Sequence, residues 1–198
     1  MSERIESGTL VEAGLAAMSR AGKPLTKLPS KGRAMLYAMS NGETVRMRTC
    51  NDHLLIVVAD RPSAEAKLNI EGTDWLLLVM PEVERSAGKI VAYLLPVSEV
   101  DAEARRTHRE WLSTDPNTKG QNTTWNLWFR KDAPGKANDY ATKWARYKLD
   151  SAVDVTDRAA PTQSGGNVKA EVEESRKRIA AAAGVPVEAV KITINFEG

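Results

Sequence analysis

Four apolar runs crowd into the stretch between Met35 and Val97, each short enough for a strand and each bounded by polar or turn-forming residues. That succession constrains the fold more than any other feature of the chain. The first, in RAMLYAM, is followed by Ser40-Asn41-Gly42, after which Val45, Met47 and Thr49 alternate with Arg46 and Arg48. This is the pattern of a hairpin closed by an Asn-Gly turn, its second strand apolar on one face and basic on the other. A strand from His53 to Ala59 is almost wholly apolar in LLIVVA, as expected of a strand covered on both faces. TDWLLLVM and KIVAYLLPV repeat that character across the charged loop PEVERSAG. With little room for helix between these runs, the sheet is expected to be mainly antiparallel or mixed.

Helical periodicity flanks the strands. Thr9 and Glu12 have capping-box spacing, Val11, Leu15 and Met18 form a stripe, and Gly22 and Pro24 end the segment. A second helix is expected from Val97, with Ser98 and Asp101 as possible caps and Val100, Ala104, His108 and Trp111 on one face. STDPNTKGQNTT reads as a loop and TWNLWF as a short strand that sends Trp125 and Trp128 to opposite faces. A last core helix starting near Lys136 would put Tyr140, Trp144 and Tyr147 on one side. The expected fold class is therefore α/β of the α+β kind: a central mixed sheet of about five strands flanked by helices, then a C-terminal helix-strand tail. The main domain is expected over residues 1–150 and a linker over 151–166, where APTQSGG has no period. The tail, 167–198, contains a helix ending at Gly184 and Pro186 and a strand in KITINFE. Too small to fold alone, the tail must dock, pair with a second copy or add to a partner's sheet edge. Ile192, Ile194 and Phe196 are its candidate partner-binding residues.

Several chemistries lack their residues. Neither GxGxxG nor a Walker-type GK[ST] occurs. Cys50 and His53 are three apart, which on an extended segment turns them to opposite faces; they read as a packed thiol and a strand-end histidine. His108, on the stripe with Trp111, reads as a hydrogen-bonded packing histidine. Asp52, Asp60, Glu65, Glu71, Asp74, Glu82 and Glu84 sit in loops and strand ends without metal-site spacing. Neither a metal, a cofactor nor a catalytic residue is expected. The single Cys50 suits a reducing cytoplasm, and MSERIESGTL has acids where a secretory signal needs a basic start and an apolar run. No apolar run approaches a membrane span.

Charge is unevenly spread. Residues 50–103 carry four Lys/Arg against ten Asp/Glu, whereas residues 104–148 carry ten against four. The basic set comprises Arg105, Arg106, Arg109, Arg130, Lys131, Lys136, Lys143, Arg146 and Lys148, interleaved with Trp111, Trp125, Trp128, Tyr140, Trp144 and Tyr147. Cations in such number can meet a phosphate backbone and exposed rings can stack on bases, although a solvated helix face and a buried aromatic core give the same composition.

The stretch from about Arg33 to Val100, through RAMLYAMSNGETVRMRT, GTDWLLLVM and KIVAYLLPVSEV, resembles the core of the PD-(D/E)XK, or restriction-endonuclease-like, superfamily. That family carries an acid on the first hairpin strand and a (D/E)xK or QxK triplet on the second. Here Leu36-Tyr37 and Arg46-Met47-Arg48 stand in those places. Guanidinium groups offer no ligand oxygen, so the resemblance implies a nuclease-like fold that has lost its metal site. It also implies that Arg46 and Arg48 lie beside the groove where the family grips the backbone, which suits binding without cutting; an arginine-lined sheet edge in water is the alternative. The function expected is a non-catalytic DNA-binding regulatory or accessory protein using Arg46, Arg48 and the 105–148 set. A protein-interaction module working through the tail, as inhibitor, adaptor or homo-oligomer, is the alternative, and a metal-dependent nuclease ranks last.

Overall fold

The computed structural model describes residues 4–30, 34–63, 65–114, 117, 121–130, 139–149, 153–154, 173, 176–177, 179–180 and 186–192. The chain forms two compact units, Met1–Thr156 and Asp157–Gly198. The first unit contains, in order, α1 (Ser7–Arg20), β1 (Thr26–Lys27), β2 (Met35–Ala38), β3 (Thr44–Thr49), β4 (Leu54–Val58), β5 (Trp75–Pro81), β6 (Lys89–Pro96), α2 (Val97–Thr114), β7 (Thr124–Trp128), α3 (Tyr140–Lys143) with a 3-10 turn at Ala145–Tyr147, and β8 (Val153–Asp154).

The fold is α+β. A mixed sheet runs β1-β2-β3-β5-β6, with the two-residue β8 added at its edge, and a second, two-stranded sheet is made of β4 and β7. All neighbours are antiparallel except β3 and β5, which are parallel. The hairpin closes as its sequence requires. Gly42 takes φ 87°, open to glycine at little cost, and the Asn41 side chain accepts a hydrogen bond from the Glu43 amide at 3.1 Å.

Three layers result. On one face α1 packs Leu10, Ala13, Ala17 and Met18 against Tyr37, Val45, Met47, Leu77, Val79, Ile90, Ala92 and Leu94. On the other, Leu76, Leu78 and Met80 of β5 and Val91, Tyr93 and Leu95 of β6 meet Leu55 and Val57 of β4, Trp125 and Leu127 of β7, Val100 and Ala104 of α2, and Tyr140 and Trp144. Strands β5 and β6 are apolar at successive positions because both their faces are covered, each buried side chain contributing about 1.5–3 kcal/mol.

LLIVVA departs from expectation. It leaves the main sheet to pair with β7 in the second layer, and its burial alternates, with Ile56 43% and Val58 38% exposed. This strand, with the loop after it, makes the crossover between the parallel pair β3 and β5, a connection usually supplied by helix. Helix α1 begins at Ser7 after Glu6, without a side-chain cap, so the Thr9–Glu12 spacing lies inside the helix. Strand β8 falls in the stretch expected as linker, held by register pairs Lys89↔Asp154 and Ile90↔Val153. In the second unit Glu173, Arg176, Lys177, Ile179 and Ala180 are helical, and Arg176 donates to the Val187 and Val190 carbonyls at 3.1 and 2.9 Å. The tail strand, with Ile194 and Phe196, lies outside the described residues; Ile192 is half-buried. No described helix is long and apolar enough to cross a membrane.

Candidate anion-binding ledge

Alternation along β3 sends Val45 and Met47 into the α1-side core and turns Thr44, Arg46 and Arg48 to the other face. Arg46 stands beside Leu36 on β2 and Leu76 on β5, and Arg48 beside Leu78. Leu76 and Leu78 are core residues under the second layer, to which β1, β2 and β3 contribute none. Among the described residues the buried second-layer cluster lies over the β5–β6 half of this face, and the half-buried Leu36, Arg46 and Arg48 form a ledge along β2 and β3 beside it. The two arginines stand at the step.

The wall of the ledge is β4. At the far end of the second sheet, Phe129 of the β7 segment stacks edge-on to Tyr93 of β6 with centroids 5.1 Å apart, so β7 lies on the β6 side. His53, just before β4, bonds the Pro81 carbonyl of β5, and Leu55 and Val57 are buried in the core over β5, which places β4 over β5 beside β3. Hydrogen-bond parity then says which groups face outward. Phe129 donates to the His53 carbonyl and Ala59 to the Thr123 carbonyl, each at 2.8 Å, so odd-numbered residues of β4 point their backbone at β7 and even-numbered ones point away. Of the latter, Val58 is taken: it accepts from the Asn69 amide at 2.8 Å and donates to the Asn69 side chain at 3.1 Å. The outward N–H and C=O groups of Leu54 and Ile56 meet no partner among the described residues.

The turn that sets β4 on its course is tightly fixed. His53 and Arg85 take φ 45° and 54°, uncommon for side-chain-bearing residues. Arg85 and Arg4 both pair with Asp52, Arg85 donates its amide to the Asn51 carbonyl at 3.0 Å, and His53 Nε2 bonds the Pro81 carbonyl at 2.7 Å. Cys50 donates its amide to Val79, and its thiol accepts from the Asp52 amide at 3.3 Å. Cys50 and His53 are thus both engaged in holding the corner.

The electrostatics of the ledge are unbalanced. Both arginine Nε atoms are buried without a hydrogen-bond partner among the described residues. Burial lowers the pKa of each guanidinium, and the charge of Arg46 lowers that of Arg48 further. Arginine remains protonated through such shifts, so two like charges are held partly out of water with no carboxylate from the described residues beside them.

The basic set of residues 104–148 is in the opposite state. Arg105 donates to Asp101 at 2.8 Å, reaches Glu71 at 3.4 Å and the Ala66 carbonyl at 3.0 Å, and lies over the Trp125 ring. Arg106 pairs with Glu103 at 2.8 Å and Glu110 at 2.5 Å, Lys143 with Glu103 at 2.6 Å, and Arg146 with Glu99 at 3.0 Å. Arg130 pairs with Glu84 and stacks over Trp128 at 5.2 Å. Arg109 and Lys148 are exposed, and Lys131 and Lys136 lie outside the described residues. The Lys143–Glu103 and Arg146–Glu99 pairs tie α2 to α3 and the 3-10 turn. Tyr140 and Trp144 beside them are core side chains, and Tyr147 donates to Glu99. His108 is buried between Trp125, at 4.3 Å, and Trp111, at 5.7 Å; stacking holds the ring, which makes no hydrogen bond to a described residue. Among the described residues no three His, Cys, Asp or Glu side chains converge as a metal site.

Sequence reasoning singled out Arg46 and Arg48 but missed the edge of β4. Hydrogen-bond parity depends on which strand is the partner, and no residue type signals it. Family models, curated proteins and solved structures contain no match to this chain.

Proposed function

We propose that this chain is a non-catalytic binding protein whose working surface is the Arg46–Arg48 ledge and whose partner is anionic. The observation that carries the reading is the uncompensated arginine pair. A fold spends stability to keep two half-buried like charges on one strand face, and an incoming anion removes that cost. Guanidinium groups donate hydrogen bonds and neither take up nor release protons at working pH, which is the chemistry of holding an anion rather than of acid–base catalysis.

Pairing within the 105–148 set bears on the partner's class. Five of its cations are engaged by carboxylates of the same chain, which removes most of the run of free charge that a DNA backbone would neutralise and favours a protein partner. DNA is the second reading, supported by the forked fit of arginine to phosphate and by the exposed Arg109 and Lys148.

The test is binding of two labelled polyanions, polyglutamate and a random DNA duplex, at low and moderate salt, to the wild type and to Arg46→Met/Arg48→Met. Salt-sensitive binding of at least one probe, weakened about tenfold or more in the variant, is expected. Equal binding by both proteins, or none by either at low salt, rules the ledge out.

A further inference from the structure

The ledge carries a second kind of information, the unpaired backbone of its wall, and here the inference rests on the anion-binding reading above. We propose that the partner presents an extended acidic segment that adds to β4 as a third strand of the second sheet, with carboxylates at positions i and i+2 bonded to Arg46 and Arg48.

Three features of the molecule converge on this. The edge of β4 opposite β7 is open at Leu54 and Ile56, which offer two N–H and two C=O groups to an incoming main chain. Lower down, the chain itself fills the same edge: Asn69 bonds Val58, Lys67 accepts from Asp60, and Ala59 bridges Leu68 antiparallel. Pairing on this side of β4 is therefore already part of the fold and stops short of Ile56 and Leu54. The spacing also matches. A strand laid beside β4 points alternate side chains down at the main sheet, with a repeat of roughly 6.6 Å for every second residue. Arg46 and Arg48, alternate residues on the floor, repeat at the same interval. The roughly 10 Å between packed sheets is spanned by an arginine reaching up and an aspartate or glutamate reaching down. Charge decides between acidic and neutral segments, since no described carboxylate acts on the two arginines, Asp74 at the end of the floor being bonded to Thr44. The outward side chains of the added strand would lie beside Ile56, 43% exposed, which favours β-branched residues between the acids.

The experiment measures binding of fluorescein-labelled eight-residue peptides to the full chain. One alternates glutamate with threonine and valine, one has the same composition with its glutamates in a block, one replaces glutamate by glutamine, and one is the alternating peptide N-methylated on every second residue. A random DNA duplex serves as the other polyanion. All changes sit on the ligand, so none perturbs folding. The alternating peptide is expected to bind at least about tenfold more tightly than each of the other three peptides, because each lacks the spacing, the charge or the main-chain donors. Arg46→Met/Arg48→Met should lose the advantage of alternation. If the block and N-methylated peptides bind as well as the alternating one, strand addition is wrong while the anion site stands. Binding of DNA alone, still dependent on Arg46 and Arg48, would overturn the peptide as partner but keep the site. If no acidic probe binds, both proposals fall together.

Discussion

Glu103 shows what a satisfied charge looks like in this molecule. Burial would raise its carboxyl, but hydrogen bonds and charge from Arg106 and Lys143 outweigh that and hold it at about 2. Tyr140, buried and donating to Glu103 at 3.2 Å, is pushed up to about 12. A folded pKa below the ordinary 4.5 means the contribution to stability is whole above that pH and is lost as pH falls toward 2. Glu103→Gln should therefore cost about 1–3 kcal/mol at pH 7, with the gap from wild type closing below pH 4.5; urea midpoints across pH would measure it, and a pH-independent gap would refute the assignment. His108 acts in a separate window. Burial between two indoles lowers its pKa from 6.5, so the unfolded chain takes up that proton first and stability declines as pH falls below 6.5. His108→Phe, which keeps a stacking ring, should abolish the decline between pH 7 and 5 in the same midpoint series. Parallel curves for the two proteins would mean His108 does not titrate with unfolding. Arg46 and Arg48 have no such compensation among the described residues, which sets them apart from Arg105, Arg106, Arg130, Lys143 and Arg146.

Elements divide into those whose surroundings are local and those whose surroundings are not. Helix α1 owes its distance from the sheet to Gly14: a Cβ there would come within 2.7 Å of Val79 Cγ2 and 3.3 Å of Met47 Cε. Gly14→Ala gains about 1 kcal/mol of helix propensity but should lose about 1–3 kcal/mol net through overpacking. Val79→Ala in that background should recover part of the loss, so a double-mutant cycle from denaturant melts ought to give non-additive values. The β2–β3 hairpin was legible because Asn41-Gly42 and strict alternation are local signals, and β5 and β6 because two-sided burial writes a continuous apolar run. LLIVVA carries the same run and was misread for that reason. Its outer face is open at Ile56 and Val58, and only tertiary pairing with β7 distinguishes it from β5. The cations of α2 were equally ambiguous: an Arg at i and an acid at i−4 or i−3 can be a free face or a closed pair, and here Asp101 and Glu103 close it.

At the scale of the molecule, three layers bury the β5–β6 half of the sheet on both faces, whereas on the second-layer face Leu36 of β2 and Arg46 and Arg48 of β3 are only half-buried among the described residues. We propose that this half-buried stretch is kept for a partner at the expense of stability. Chemical unfolding of Arg46→Met/Arg48→Met against wild type, in buffer without polyanion, tests that most directly, because methionine keeps the apolar stem and removes only the charge. The variant should be as stable as wild type or more stable, by up to about 1 kcal/mol, since a half-buried repulsive pair is exchanged for apolar packing. A variant destabilised by more than about 1 kcal/mol would contradict it, because the arginines would then be structural members of the sheet with partners of their own.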